Sequence, residues 1–154
     1  MNEVPGLDVA GLTAWLDRAH PELAGVHLDA HLIAGGKSNL TYRVDGGRIP
    51  LVLRRPPLGH VLASAHDMHR EHRVISALQG TAVPVPRAVD IVDDTAAAEV
   101  TGTAFFVMEF VDGLVLTSPR QNALFTPDAL RRASLHLAEI LAELHAIDAR
   151  RVGL

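Results

Sequence analysis

Leu12, Trp15, Leu16 and Ala19 recur at the spacing of one helix face, with Asp8 placed to cap that helix and Pro21 to stop it. Val26, Leu28, Ala30 and Leu32 then alternate with His27, Asp29 and His31, the period of a half-buried strand. Ala34-Gly35-Gly36-Lys37-Ser38-Asn39 interrupts the alternation, and Leu40–Val44 resumes it. Asp45-Gly46-Gly47 reads as a hairpin turn into Leu51–Arg54, and Pro56-Pro57 stops that strand. Ser64-Ala65-His66-Asp67 resembles a capping box, opening a helix with Met68, Glu71, Ile75 and Leu78 on one face and Gly80 at its end. Val83-Pro84-Val85-Pro86 is a rigid connector. Arg87–Val92 and Ala104–Val111 read as two further strands around a polar turn at Asp93-Asp94-Thr95, with hydrophobic Phe105–Met108 in the sheet interior. Thr126-Pro127-Asp128 starts a last helix striped by Leu130, Ala133, Leu137, Ile140, Leu141 and Leu144. The predicted class is α+β: a five-stranded antiparallel sheet with one helix inserted between its third and fourth strands, a helix before it and a long helix after it.

Composition narrows the functions available. At 154 residues the chain suits one domain of ordinary size, and its 48% hydrophobic content excludes a disordered protein. With no cysteine it has no disulfide, thiolate metal site or cysteine nucleophile. No apolar run approaches the ~18–20 residues of a membrane span. Met1-Asn2-Glu3-Val4-Pro5 lacks the pattern of a signal peptide. A net charge of −4 argues against nucleic acid as the main partner. The expectation is a soluble, cytoplasmic protein that neither spans a membrane nor binds nucleic acid.

Candidate chemistry starts at the glycine loop. Gly36-Lys37-Ser38 invites a Walker A reading, but His31 stands where that motif needs its first glycine, and the loop joins two strands. It is either an ordinary hairpin or a loop that folds over a phosphate with its backbone N–H groups. Arg54 shares a strand face with Val52, while Leu51 and Leu53 point the other way. Alone it reads as a solvated strand-end arginine, with Arg55 beside it as another, rather than as a cation holding a phosphate. Glu71 sits on the inward face of its helix, where a carboxylate needs a partner, and Arg54 is the nearest cation in this topology. His66, His69 and His72 fan over about 120° of helix and read as a solvated face rather than a metal site. Arg131-Arg132 and Arg150-Arg151 read as solvated charge, and Trp15 as a packing anchor.

Seven segments come in one order: Gly36-Lys37-Ser38-Asn39, Tyr42-Arg43-Val44, Val52-Leu53-Arg54, Arg70-Glu71, Val83-Pro84-Val85-Pro86, Phe106–Gly113 and Leu144-His145-Ala146-Ile147-Asp148. Together they resemble the N-terminal lobe of the aminoglycoside-phosphotransferase-like family, relatives of the protein kinases. Within it they are most similar to the branch found alongside acyl-CoA dehydrogenases, which carries a similar Leu-Arg-Arg-Pro-Pro run. The resemblance implies ATP or GTP as cofactor and γ-phosphate transfer to the hydroxyl of a small-molecule alcohol. It implies that Gly36, Ser38 and Asn39 lie over the phosphates and that Arg54 replaces the usual strand lysine, with Glu71 as its partner. Arginine keeps the charge and can grip phosphate bidentately. Val52 would touch the adenine, Met108 would flank the back of the pocket, and Glu109 to Val111 would form the hinge.

The resemblance also implies what these residues do not supply. A catalytic loop needs an aspartate followed by an asparagine, with a second aspartate for Mg2+. The only His-x-Asp is His27-Leu28-Asp29, in the first predicted strand and followed at the asparagine position by Ala34. No catalytic residue and no metal ligand is therefore assigned here. The Mg2+ ligands are expected in a C-terminal lobe that would begin where the chain ends at Leu154, and the segment alone is expected to be inactive. The expected organisation is an N-terminal helix over 1–24, a nucleotide-binding lobe over 25–113, and a linker with the first helix towards that lobe over 114–154. The apolar stripe of the last helix needs cover, which predicts a homodimer or domain exchange through it. Two other readings stay open: a non-catalytic kinase-like regulatory module, and a scaffold without nucleotide affinity.

Overall fold

The computed structural model describes residues 4–34, 39–59, 66–114, 121, 123 and 125–154. They divide into two compact units: residues up to Ser76 with Pro86–Phe110, and Ala77–Val85 with Val111–Leu154.

The first unit contains α1 (Val9–Ala19), β1 (Asp29–Ala34), β2 (Leu40–Asp45), β3 (Leu51–Arg55), most of α2 (Met68–Leu78), β4 (Ala88–Asp93) and β5 (Ala104–Glu109). The strands form one antiparallel sheet in the order β1-β2-β3-β5-β4, so the hydrophobic β5 lies inside it, as its composition predicts. The fold class is the expected α+β. Asp8 caps α1 by accepting from the amides of Ala10 and Gly11, and Leu12, Trp15 and Leu16 are buried.

Period-two alternation gives the sheet two different faces. On one, Tyr42, Val44, Leu51, Leu53, Phe105 and Val107 join Leu12, Trp15 and Leu16 in the core. Trp15 meets the Phe105 ring edge-on at 5.7 Å, in its expected role of packing anchor. The other face carries Val52, Arg54, Phe106 and Met108, with Val52 opposite Met108 and Arg54 opposite Phe106. Helix α2 covers this second face, where Glu71 meets Arg54 and His72 lies against Phe106.

Three local expectations change. Strand β1 begins at Asp29, not at Val26, which is fully exposed. Ahead of β1 the chain instead passes close to the β2–β3 turn: a Cβ on Gly46 (φ +93°) would stand 1.9 Å from the His27 carbonyl oxygen. Only glycine fits there. Helix α2 starts at Met68, with the Asp67 carboxylate accepting from the Arg70 amide at 3.0 Å. The proposed cap at Ser64 lies outside the described residues. Arg55 is not solvated; it is 4% exposed and donates to the carbonyls of Gly6, Thr101 and Pro56.

The second unit is dominated by α3 (Pro127–Ala146). Thr126 caps it through the Ala129 amide, Pro127 opens it, and Asp128 pairs with Arg132 one turn on. No residue of α3 is buried, and Leu137 on its apolar stripe is 67% exposed. Among the described residues, no helix is long and apolar enough to cross a membrane.

Candidate functional site

Arg54 and Glu71 meet as their positions on strand and helix require. Arg54 Nη2 lies 3.1 Å from Glu71 Oε2, with the two side chains 30% and 32% exposed. At that exposure the pair contributes at most about 1 kcal/mol to stability, so its main effect is to fix where the guanidinium points. Glu71 is held at both oxygens, since Asn39 Nδ2 donates to its Oε1 at 2.5 Å. The Asn39 Oδ1 is in turn 2.6 Å from His66 Nδ1. Asn39 is buried at the point where the glycine loop enters β2. A strand cation, a helix carboxylate and the end of the loop thus converge on one face of the sheet.

The guanidinium is not fully satisfied. Arg54 Nε is buried and has no hydrogen-bond partner among the described residues. Leaving a buried donor unpaired costs on the order of 1–3 kcal/mol, more when it is charged. An anionic oxygen beside Arg54 would remove that cost, so the residues present fit a phosphate group.

Along the same face, Val52 is buried and Met108, directly opposite it, is half-buried. Glu109 ends β5 with its carboxylate on Arg87 Nε at 2.7 Å and its amide on the Arg87 carbonyl at 2.9 Å. The Phe110 amide donates to the Pro50 carbonyl at 3.0 Å. Val111 belongs to the second unit and is exposed. Gly36 and Ser38 lie outside the described residues.

Two residues near the site escape a reading of the pattern. His66 precedes α2 and is half-buried against Asn39, so the solvated helix face holds only for the exposed His69. His72 faces inward with its ring centroid 6.0 Å from that of Phe106. Burial pulls its pKa below the usual imidazole value, with Asp90 opposing the shift and His69 reinforcing it. The Asp67 cap was the available signal: a helix starting after it leaves His66 outside the helical period. Arg43, in the Tyr42-Arg43-Val44 segment, grips both Asp45 oxygens at 2.9–3.0 Å and stacks its guanidinium over Phe110 at 4.2 Å.

A separate groove of about 880 Å³ runs between α1 and the segment entering β1. Among the described residues Asp8, Asp17 and Asp29 line it and no lysine or arginine does, a poor environment for a polyphosphate.

Comparison with known proteins agrees with this geometry. The model of the phosphotransferase enzyme family (APH) matches residues 29–154. Acyl-CoA dehydrogenase family member 10 of Mus musculus is 34% identical over 121 residues, covering 77% of this chain and 11% of that protein. Acyl-CoA dehydrogenase family member 11 of Rattus norvegicus is 32% identical over 152 residues, covering 96% of this chain and 19% of that protein. The chain thus spans less than a fifth of these relatives. A solved structure described as a "putative aminoglycoside phosphotransferase" from Ralstonia eutropha superposes with a TM-score of 0.73 at 28% identity, over 96% of this chain and 41% of that one. With an antiparallel five-stranded sheet, an inserted helix and a strand arginine paired to that helix, the chain belongs to the phosphotransferase enzyme family and has the fold of its kinase-like N-terminal lobe.

Proposed function

We propose that this chain is the nucleotide-binding lobe of a small-molecule kinase that transfers the γ-phosphate of ATP or GTP to a substrate hydroxyl. The observation that carries the reading is the Arg54–Glu71 pair with its unsatisfied Nε, an anion-binding cation held in place by a helix carboxylate. Arg54 binds phosphate oxygens, and the loop through Gly36 and Ser38 covers them. Asn39 ties the end of that loop to Glu71. Val52 touches the adenine, and Met108 flanks the back of the pocket. Glu109 to Val111 form the hinge, whose backbone carbonyl and N–H meet the adenine edge. Mg2+ would neutralise charge on the transferring phosphates, held by residues beyond this stretch, which also supply the catalytic aspartate and the acceptor pocket. Residues 25–113 form the nucleotide lobe, 1–24 its N-terminal helix, and 114–154 lead towards the remaining lobe. In this reading the protein works in the cytoplasm on a small alcohol.

Calorimetric titration of the 154-residue chain with Mg-ATP and Mg-GTP tests the reading. We expect weak binding of at least one nucleotide, reduced by about tenfold or more in Arg54→Ala and by less in Glu71→Ala. A folded chain that binds neither nucleotide overturns it.

A further inference from the structure

We propose that His66 is a positioning residue for the phosphate-binding cation, acting through Asn39 and Glu71; the inference rests on the nucleotide reading above. Glu71 bridges two elements: its Oε2 holds Arg54 of β3, and its Oε1 receives the Asn39 amide. For that amide to donate, its Nδ2 must face the carboxylate and its Oδ1 must face away. An unrestrained asparagine can turn its amide half a revolution and present oxygen to oxygen, which repels. His66 removes that freedom, because Asn39 Oδ1 lies 2.6 Å from His66 Nδ1 and can only accept. The ring must therefore carry a proton on Nδ1, a condition met by the Nδ1–H neutral tautomer and by the imidazolium alike.

The geometry makes His66 the outer end of a four-residue relay. Its Nδ1–H fixes the sense of the Asn39 amide, the amide fixes the Glu71 rotamer, and Glu71 aims Arg54. The relay ties three pieces of chain to one point: the end of the glycine loop at Asn39, β3 at Arg54, and the entrance to α2 two residues before Met68. Among the described residues Arg54 Nε has no hydrogen-bond partner, so the relay orients the guanidinium without consuming that donor.

The test combines nitrogen NMR on the histidine ring with Mg-ATP and Mg-GTP titrations of the 154-residue chain and two variants. In the unsubstituted chain His66 should show a protonated Nδ1; a neutral ring with bare Nδ1 overturns the proposal without need of any variant. His66→Ala should weaken nucleotide binding by about tenfold, the scale of one lost hydrogen bond. His66→Asn, which places an amide donor near the former Nδ1, should recover to within about threefold of the original affinity. A purely structural role would not be rescued in this way. Binding unchanged in His66→Ala, or equally weak in both variants, overturns the role of His66 while leaving the nucleotide reading intact. An unsubstituted, folded chain that binds neither nucleotide overturns the nucleotide reading, and this role with it.

Discussion

Asp94 follows β4 and is almost fully buried, yet it keeps its charge. Its Oδ1 accepts from the Glu99 amide at 2.9 Å, and its Oδ2 from those of Val100, Thr101 and Gly102 at 2.6–2.9 Å. Burial opposes ionisation here, but the four amides outweigh it and hold the carboxyl below the usual carboxylate value. A folded pKa below the unfolded one stabilises the protein above the ordinary aspartate value, near pH 4, and that stability is lost as pH falls through the folded pKa. Asp94→Asn retains one acceptor oxygen and loses the charge. We expect it to cost about 2–3 kcal/mol at pH 7 by urea unfolding and to flatten the loss of stability below about pH 4. A variant as stable as the parent at pH 7 would show that the loop holds its shape without the carboxylate. Asp94 was legible only as part of a polar turn, because its four partners are defined by loop closure and not by any period.

Elements with a repeating pattern could be read almost residue by residue. The Asp8 and Thr126 caps, the alternation that puts Leu51 and Leu53 opposite Val52 and Arg54, and the interior β5 all follow from local spacing. So does the meeting of Arg54 with Glu71, since a helix that follows its strand directly returns over the same sheet face. Long-range closures could not be read this way. Arg55 looks like a solvated strand end until Gly6 and Thr101, 49 and 46 residues away, bring their carbonyls to it. Helix α1 hides a similar contact. A Cβ on Gly11 would stand 1.8 Å from the Glu99 carbonyl oxygen in the β4–β5 loop. In most helix interiors Gly→Ala gains about 0.5–1 kcal/mol. Here the sign should reverse, with Gly11→Ala losing about 1–3 kcal/mol because backbone must move to admit one methyl group. Thermal unfolding measures this directly, and a raised midpoint would show that α1 can shift freely along the loop.

At the scale of the whole molecule, the family and fold are shown, while the chain accounts for 41% of its structural neighbour and less for its curated relatives. Helix α3 shows what this leaves open. Leu137, Leu141 and Leu144 are all exposed along one face of it, an apolar strip of the kind that drives association. The 154-residue chain on its own should therefore self-associate at tens of micromolar, and Leu137→Glu with Leu141→Glu should render it monomeric. Sedimentation velocity on the two proteins decides this; a parent chain that sediments as a monomer would remove the homodimer from the reading.

Arg54 and Arg55 are adjacent in sequence but face opposite sides of one strand. One meets Glu71 of α2, and the other is sealed against Gly6 and Thr101. Strand β3 therefore tolerates no change in its length. Inserting or deleting one codon between Leu51 and Arg54 would reverse the faces of the two arginines, carrying the partner of Glu71 into the core and turning the core cation outwards. Relatives should vary in length at the Asp45–Pro50 turn and never within the strand that follows it.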